Sequence, residues 1–190
     1  MYHLKETALE FYPLGGILQE KSQRATQRKI LMKKLGFPEN VIIFSHSGKL
    51  SREKKTAELL RAFSVSAGDK MRLLIFGSMP EDQKEELTSL MENDSRVHFL
   101  GWKSGQDIMD ILNATDVYLQ PGSQSATSQT ALCCGCAEVV APTPSYREMY
   151  GNAVIYAGSQ MELEEVFRQF SQGVLSVEDY QARGRKCAEE

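Results

Sequence analysis

The sequence lacks several features that would assign it to a class at once. Its 190 residues contain no apolar run long enough to span a membrane, and they do not begin with the basic and then apolar pattern of a secretory signal. The formal net charge of −3 supplies none of the basic excess of a typical nucleic-acid-binding domain. We therefore expect a cytoplasmic globular protein with no transmembrane segment and no nucleic-acid partner.

Cysteine is also sparse, and its spacing fits neither a disulfide framework nor a metal site. Of the four cysteines, Cys133, Cys134 and Cys136 fall between a predicted helix and the next strand, and Cys187 lies far along the chain. A zinc site would need a second Cys-x-x-Cys pair or a pair of histidines at a suitable distance. We interpret the cysteines as small buried hydrophobic residues and expect no metal.

Two common nucleotide-binding motifs are missing as well. No Gly-x-Gly-x-x-Gly follows the first predicted strand, which disfavours a nicotinamide or flavin site. No Gly-x-x-x-x-Gly-Lys-Ser/Thr is present either, which excludes a P-loop nucleotide hydrolase. The sequence therefore predicts no bound cofactor.

The sequence does contain a regular alternation of apolar strands and helices. Strands are predicted at 41–45, 72–76, 97–100, 117–119, 138–140 and 153–156, and helices at 19–35, 54–66, 81–91, 104–112, 125–134, 160–170 and from 177 onward. This order predicts an α/β fold: a Rossmann-like, doubly wound parallel sheet of about six strands with helices on both faces. Residues 1–18 are interpreted as an interdomain linker and residues 19–190 as the domain.

The first predicted helix is rich in lysine and arginine. Arg24 and Arg28 are among six basic residues within it. Because the helix also has an apolar face, we interpret the basic residues as its solvated side rather than as a binding patch.

The stretch 116–135 combines a strand, a Pro-Gly turn and the opening of a helix. Four hydroxyl residues crowd its first helical turn: Ser123, Ser125, Thr127 and Ser128. Unpaired backbone N–H groups and the positive end of the helix dipole make such a turn a natural seat for a phosphate or carboxylate. Ser and Thr are also ordinary N-caps that satisfy the same N–H groups without a ligand. Both interpretations remain open at this stage.

The other strand ends carry cations and glycines. The loop predicted at 46–55 holds four cations, Lys49, Arg52, Lys54 and Lys55. This loop is either part of an anion site or a solvated run of charge. Glycine follows each of the next three strands, at Gly77, Gly101 and Gly122, where it would let a ligand approach the backbone closely. Each glycine is also an ordinary turn residue.

Short motifs spread over most of the chain are more specific together than singly. In chain order they are Tyr12-Pro13-Leu14-Gly15-Gly16, Gly48-Lys49-Leu50 with Lys54, Phe76-Gly77, Phe99-Leu100-Gly101, Ala114-Thr115-Asp116-Val117, Ala131-Leu132-Cys133-Cys134-Gly135 and Val139-Val140-Ala141. In this order, the chain resembles the C-terminal, nucleotide-sugar-binding domain of family 4 glycosyltransferases with the GT-B fold.

The resemblance implies a nucleotide-sugar donor and gives individual residues roles. Lys49 and Lys54 would act as catalytic cations, because transfer of the sugar builds negative charge on the departing diphosphate. Trp102 would lie beside the nucleobase, although simple packing is an open alternative for it. The full set of implied donor or nucleotide contacts is Gly48, Gly77, Gly101, Trp102, Gly122, Ser123, Ser125, Ala126, Thr127 and Thr130.

The chain departs from the family pattern at three of these positions. Family members carry two glutamates whose places are taken here by Gly122 and Thr130. The second normally binds the ribose hydroxyls, which implies that Thr130 and Gln129 take over this contact or that it weakens. The first lies near the donor sugar, so its loss bears on catalysis or on the identity of the sugar. Lys49 replaces an arginine and lacks the planar fork that grips two phosphate oxygens.

The function implied is donor binding in a retaining, nucleotide-sugar-dependent glycosyltransferase of polysaccharide or glycoconjugate biosynthesis. We expect the chain to be the C-terminal half of the enzyme, with a saccharide or lipid-linked acceptor held by an N-terminal domain ahead of Met1. Without that wall of the cleft, the chain would bind donor but not transfer sugar. The full-length enzyme is expected in the cytoplasm or peripherally at the membrane.

Two other functions fit the same observations less well. The absent glutamates would allow a non-catalytic relative that binds a nucleotide or a partner. A nucleotide-sugar epimerase of the GT-B fold would share the sheet but would need a carboxylate or histidine as acid and base. Of the three histidines, only His46 is predicted at a suitable strand end, so the epimerase ranks last.

Overall fold

The computed structural model describes residues 16–189, and in it six parallel strands form a single sheet. The strands are β1 (Ile42–Lys49), β2 (Met71–Ser78), β3 (Val97–Phe99), β4 (Val117–Gln120), β5 (Ala137–Val140) and β6 (Ile155–Tyr156). Their order across the sheet is β3-β2-β1-β4-β5-β6. The predicted doubly wound, Rossmann-like sheet is therefore confirmed.

Within residues 16–189, eight α-helices cover the sheet. They are α1 (Lys21–Leu35), α2 (Thr56–Ser66), α3 (Glu81–Glu92), α4 (Gly105–Ala114), α5 (Ala126–Cys133), α6 (Pro144–Tyr150), α7 (Gln160–Ser171) and α8 (Val177–Glu189). A short 3₁₀ turn, Arg52–Lys54, precedes α2. Helix α6 was not predicted, because its seven residues bury two tyrosines rather than an aliphatic stripe; its Thr143 cap and Pro144 are nevertheless ordinary helix-start signals.

The two faces of the sheet bury separate cores. Helices α2, α3 and α7 cover one face, where Phe167 packs edge-on against Phe44 and Phe63 with ring centroids 5.4 and 5.2 Å apart. The opposite face packs against α1, α4, α5, α6 and α8. Because both faces are covered, the strands are nearly continuously buried, and ligands can reach the sheet only at its edges.

Strand β1 is longer than the sequence predicted. The segment His46 to Lys49 was assigned to a flexible loop, but it continues the strand and pairs with β2 up to Lys49. His46 and Ser47 resemble loop residues in the sequence, yet each is buried and hydrogen-bonded within the fold. The prediction was wrong because polar residues with internal partners are compatible with a buried strand.

The interpretation of α1 as having only a solvated basic side was also wrong. Arg28 forms an ion pair with Asp116 at 2.7 Å and donates to the carbonyl of Val41 at 2.6 Å. Arg24 donates to the carbonyl of Thr115 at 2.9 Å. These bonds fasten α1 across the amino-terminal edge of the sheet, while the remaining basic residues of the helix are exposed.

The cysteine prediction is confirmed for three residues. Cys133, Cys134 and Cys136 are free and buried, and burial raises the pKa of the Cys134 thiol to about 12. Such thiols are protonated and behave as small hydrophobic residues. Within residues 16–189, no helix has the length and apolar character needed to cross a membrane.

The first motif of the resemblance, at 12–16, and the predicted linker, 1–18, lie almost wholly outside the described residues. The described chain begins at Gly16, and the backbone N–H of Gln19 donates to the carbonyl of Cys133 at 2.9 Å. The boundary between linker and domain therefore stays a prediction.

Candidate functional site

The strand order locates the crevice where a ligand would bind. The chain moves outward from β1 to β2 and β3, and then returns to place β4 on the other side of β1. In doubly wound sheets, ligands bind outside the carboxyl ends of the strands at this reversal point. The two segments singled out in the sequence follow β1 and β4, so the topology brings them to the same place.

Side-chain and backbone bonds join these two segments directly. The Lys54 ammonium donates to the carbonyls of Ser123 and Gln124 at 3.0 and 2.8 Å. The backbone N–H of Ser123 donates to the carbonyl of Glu53 at 2.7 Å. The structure thus brings together the cation-rich segment after β1 and the segment that opens α5, as the topology of the sequence predicted.

The two lysines named in the sequence have different environments. Lys54 is half-buried, and loss of water lowers its pKa below the ordinary value. Lys49 ends β1 with an exposed side chain. It lies near Glu53, whose carboxyl pKa is lowered mainly by a hydrogen bond from Ser51 and to a smaller extent by Lys49. Lys54 is therefore part of the fold, whereas Lys49 faces solvent.

The four hydroxyl residues at the start of α5 also separate into different roles. Ser125 is the N-cap, and its hydroxyl accepts the N–H of Thr127 at 3.3 Å. Ser128 is fully buried and points away from solvent. Ser123 and the neighbouring Ala126 are exposed. The capping interpretation therefore holds for Ser125, and the anion seat stays a prediction for the exposed side of the turn.

Two of the glycines are required by the protein's own backbone. A Cβ atom at Gly77 would lie 1.9 Å from the carbonyl oxygen of Gly48, and one at Gly122 would lie 2.0 Å from that of Glu53. These contacts lie far below van der Waals distance, so the close approach is made by the end of β1 at Gly77 and by the 3₁₀ turn at Gly122. At Gly101, by contrast, no heavy atom of the described residues lies within 4 Å of a built Cβ.

Trp102, after the end of β3, and Thr130, within α5, both have exposed surface. The Trp102 side chain, next to Gly101, is 73 % exposed, so it does not pack into the domain. Thr130 is half-exposed one turn into α5, and its hydroxyl donates to the carbonyl of Ala126 at 3.3 Å. The Gln129 side chain contacts Met149, with its amide nitrogen 3.2 Å from the sulfur atom.

His46 is not an acid or base group of the crevice. It lies fully buried within β1, where Nδ1 donates to the carbonyl of Leu119 at 2.8 Å and Nε2 accepts from the Thr56 hydroxyl at 3.0 Å. Burial lowers its pKa to about 4, so the ring is neutral at physiological pH. The sequence placed His46 at a strand end; its true position removes the one histidine that favoured an epimerase.

Sequence reasoning missed the residues that hold the site's loops in position. Gln120 ends β4 and donates to the carbonyl of Ser123 at 2.5 Å. Lys55, with a left-handed φ of 55°, directs its ammonium to the carbonyl of Gly158 at the start of α7. The sequence marks Lys55 only as one of the four cations of the predicted loop. No sequence signal marks Gln120.

Comparison with known proteins identifies the chain's relatives. The sequence model of the family "Glycosyl transferases group 1" matches residues 27–186. Comparison with curated protein sequences finds no match.

Solved structures share the fold at low sequence identity. HepE of Anabaena in complex with UDP and glucose has a TM-score of 0.73 at 17 % identity, over 90 % of this chain and 50 % of HepE. WaaG, a glycosyltransferase involved in lipopolysaccharide biosynthesis, gives 0.72 at 20 % identity, over 93 % of this chain and 51 % of WaaG. The C-terminal domain of the group 1 family protein LpcC from Francisella tularensis gives 0.71 at 14 % identity, over 91 % and 93 %. The chain therefore spans about half the length of HepE and WaaG but nearly all of the LpcC domain.

Proposed function

The chain belongs to the glycosyl transferases group 1 family, and from that premise we propose that it is the donor-binding domain of a retaining, nucleotide-sugar-dependent glycosyltransferase. We place the enzyme in polysaccharide or glycoconjugate biosynthesis, the area in which WaaG acts. The observation that carries the proposal is the junction of Lys54 with Ser123 and Gln124 at the reversal point of the sheet. It puts a half-buried cation beside a helix N-terminus, which is the combination that a diphosphate requires.

The chemistry of transfer explains why these groups suit the reaction. When the sugar leaves a nucleoside diphosphate, negative charge grows on the departing phosphate oxygens. Lys54 would exchange its carbonyl partners for phosphate oxygens, and exposed Lys49 would approach from the end of β1. The N–H groups of the first turn of α5 would add the positive end of the helix dipole. Together these groups stabilise the leaving group without a metal.

The nucleoside would lie along the rest of the crevice edge. Gly101 leaves open space at the end of β3, and the exposed Trp102 ring beside it offers a face on which a base can stack. Thr130 would meet the ribose hydroxyls with its own hydroxyl, a weaker contact than a carboxylate would make. The proposed site therefore runs from Trp102 across Lys54 to the start of α5.

The acceptor requires residues beyond this domain. The chain spans about half of HepE, a protein solved with UDP-glucose, so we propose that a second domain completes the cleft. That domain would hold the saccharide or lipid-linked acceptor and exclude water. By itself, the chain would bind donor without transferring sugar at an enzymatic rate.

Calorimetric titration and thermal unfolding with a panel of nucleotides test this proposal. The panel comprises UDP, GDP, ADP, UDP-glucose and uridine, which lacks phosphate. We expect at least one diphosphate to bind and to stabilise the fold by about 2.7 kcal/mol at a hundred times its Kd, while uridine alone binds far more weakly. Neither heat nor stabilisation from any diphosphate would contradict the proposal.

One observation favours a non-catalytic nucleotide-binding relative as the second candidate. The backbone of Glu53 fills the space where a side chain at position 122 would begin, so the donor-sugar end lacks a carboxylate at that place. Mass spectrometry of the full-length protein with its best donor and a mixture of saccharide acceptors separates the two candidates. A glycosylated product supports the transferase, and tight binding without product supports the relative.

A further inference from the structure

A buried carboxyl group lies directly behind the first turn of α5. Glu138 is the second residue of β5, and none of its surface is exposed. The hydroxyl of Ser128 donates to Glu138 Oε2 at 2.7 Å, and the same hydroxyl lies 3.1 Å from the hydroxyl of Tyr150. Ser128 is the third residue of α5, so this contact joins the sheet to the helix turn that faces the crevice.

Glu138 has no cationic partner among the described residues. The titratable groups that face it from the surrounding elements are Tyr118 of β4, Cys133 of α5, Cys136 immediately before β5, and Tyr146 and Tyr150 of α6. Burial raises the pKa of Glu138 well above its ordinary value, and the Ser128 hydrogen bond offsets only part of that rise. Its Oε1 atom lacks a hydrogen-bond partner within residues 16–189. The surroundings of Glu138 therefore favour the protonated form of its carboxyl group.

The same cluster reaches the N-cap of α5 through a second tyrosine. The hydroxyl of Tyr146 accepts the backbone N–H of Ser125 at 3.2 Å. The rings of Tyr146 and Tyr150 stack with centroids 5.6 Å apart. Ser125 and Ser128, at the start of α5, are thus both hydrogen-bonded to one buried polar cluster, which is centred on Glu138.

We propose that Glu138 is a positioning residue for the donor: through Ser128 it fixes the first turn of α5, and ionisation of its carboxyl group would oppose diphosphate binding. This inference rests on the proposed function, since it assumes that the turn receives the diphosphate. Ionisation would place an unpaired negative charge behind a turn that must accept a negatively charged phosphate. A buried charge without a partner also favours rearrangement of the segment that encloses it.

The test is UDP titration of the parent chain and three variants between about pH 6 and pH 9. Glu138→Gln keeps an acceptor for Ser128 but cannot ionise, and Glu138→Val removes the acceptor. Leu87→Ala, in α3 on the opposite face, serves as a control that loses core packing far from α5. Ionisation of UDP and of Lys54 is common to all four proteins, so it cancels when each affinity is divided by that of Glu138→Gln.

At the low end of this pH range, we expect Glu138→Gln to match the parent and Glu138→Val to bind UDP several-fold more weakly. As the pH rises, the UDP affinity of the parent should fall relative to that of Glu138→Gln. The fall should reach about tenfold for each unit by which bound UDP raises the pKa of Glu138. Leu87→Ala should follow the parent. A parent and Glu138→Gln with the same pH dependence, or a Glu138→Val variant with parental affinity, would overturn the proposal.

Hydrogen exchange of the amides at 126–130 in the unliganded proteins gives a readout that does not depend on UDP. Parent, Glu138→Gln and Leu87→Ala should protect these amides equally, and Glu138→Val should exchange them faster. Equal exchange in parent and Glu138→Val would overturn the positioning role whether or not a nucleotide binds. If UDP binds none of the four proteins, the proposed UDP site is wrong, and so is the pH-dependent binding. The exchange rates then still test whether Glu138 fixes the turn.

Discussion

The two edges of the sheet each hold a partly buried cation, and only one of the two cations is neutralised. At the amino-terminal edge, Arg28 pairs with the Asp116 carboxylate at 2.7 Å. At the carboxyl edge, Lys54 bonds to two backbone carbonyls, and no carboxylate of residues 16–189 lies within ion-pair distance of it. An ion pair within the chain stabilises the fold, whereas a cation without a carboxylate partner keeps its charge available for a ligand. The comparison therefore contrasts a structural edge, at the amino-terminal ends of the strands, with the proposed binding edge at their carboxyl ends.

The pKa directions agree with this comparison. Burial raises the pKa of Asp116, and attraction to Arg28 opposes that rise. Burial lowers the pKa of Lys54, and no opposing carboxylate in the described chain restores it. A bound diphosphate would supply the missing negative charge and raise the pKa of Lys54 again.

The largest change in stability is expected when the ion pair at the structural edge is removed. Arg28→Ala leaves the Asp116 carboxylate without its ion pair and frees the carbonyl of Val41, so we expect the free energy of unfolding to fall by about 3 kcal/mol. Urea denaturation measures the change. Lys29→Ala, an exposed neighbour on the same helix, is the matched control and should change stability by less than about 0.5 kcal/mol. Equal stability of the two variants would show that the amino edge does not depend on this pair.

A smaller loss is expected where the two loops of the binding edge touch. Gly122→Ala places a Cβ 2.0 Å from the carbonyl oxygen of Glu53, so the two loops must separate, at a cost of about 1–3 kcal/mol. Nucleotide binding should weaken with it, because Lys54 and the start of α5 move apart. Gly105→Ala, which meets no heavy atom of the described residues within 4 Å, is the control. Parental stability in Gly122→Ala would contradict the tight contact between the loops.

At the binding edge, removal of a charge should weaken nucleotide binding and leave stability nearly unchanged. Lys54→Ala is expected to weaken binding of the best diphosphate by about tenfold or more, since a charge-assisted hydrogen bond contributes about 1.5–3 kcal/mol, while the folded state is nearly unchanged. Lys49→Ala should act in the same direction with a smaller effect, because Lys49 is exposed. Lys84→Ala, an exposed lysine on α3, is the control for general charge loss. If Lys54→Ala binds the nucleotide as tightly as the parent, the segment after β1 is instead a solvated run of charge.

The smallest effect concerns the ribose. Thr130→Glu introduces a carboxylate at a half-exposed position of α5, and we expect it to tighten binding of nucleotides with both ribose hydroxyls by a few-fold. Deoxyribonucleotides, which offer one hydroxyl fewer, should gain less, and calorimetry on both series measures the difference. Equal or weaker binding in both series would place the ribose away from Thr130.

The fold and the junction of loops could be read from the sequence because both follow from strand order. Alternating apolar strands and helices specify a parallel sheet, and a parallel sheet gathers its strand ends at one edge. The loops that carry Lys54 and Ser123 therefore had to meet, although they are separated by about 70 positions along the chain. Side-chain chemistry was not needed for that step.

The details that depend on individual contacts could not be read in the same way. Arg24 and Arg28 have the composition of a solvated helix face, and only the tertiary structure shows their guanidinium groups at the carbonyls of other elements. Gly122 resembles a ligand-binding glycine in the sequence, yet a neighbouring backbone fills its space. His46 and Glu138 are polar residues within buried strands, a placement that composition argues against. Each case turns on a partner that is distant in the chain.

Backbone amide shifts during a UDP titration test the central claim most directly, because they report both edges in one experiment. The claim predicts that perturbations concentrate at residues 48–55 and 122–128, at the binding edge, and that residues 24–28 and 114–116, at the structural edge, stay unperturbed. It also predicts that Lys54→Ala removes the response and Lys84→Ala keeps it. Perturbations centred on the amino-terminal edge, or a response unchanged by Lys54→Ala, would contradict the assignment of the carboxyl edge as the donor site.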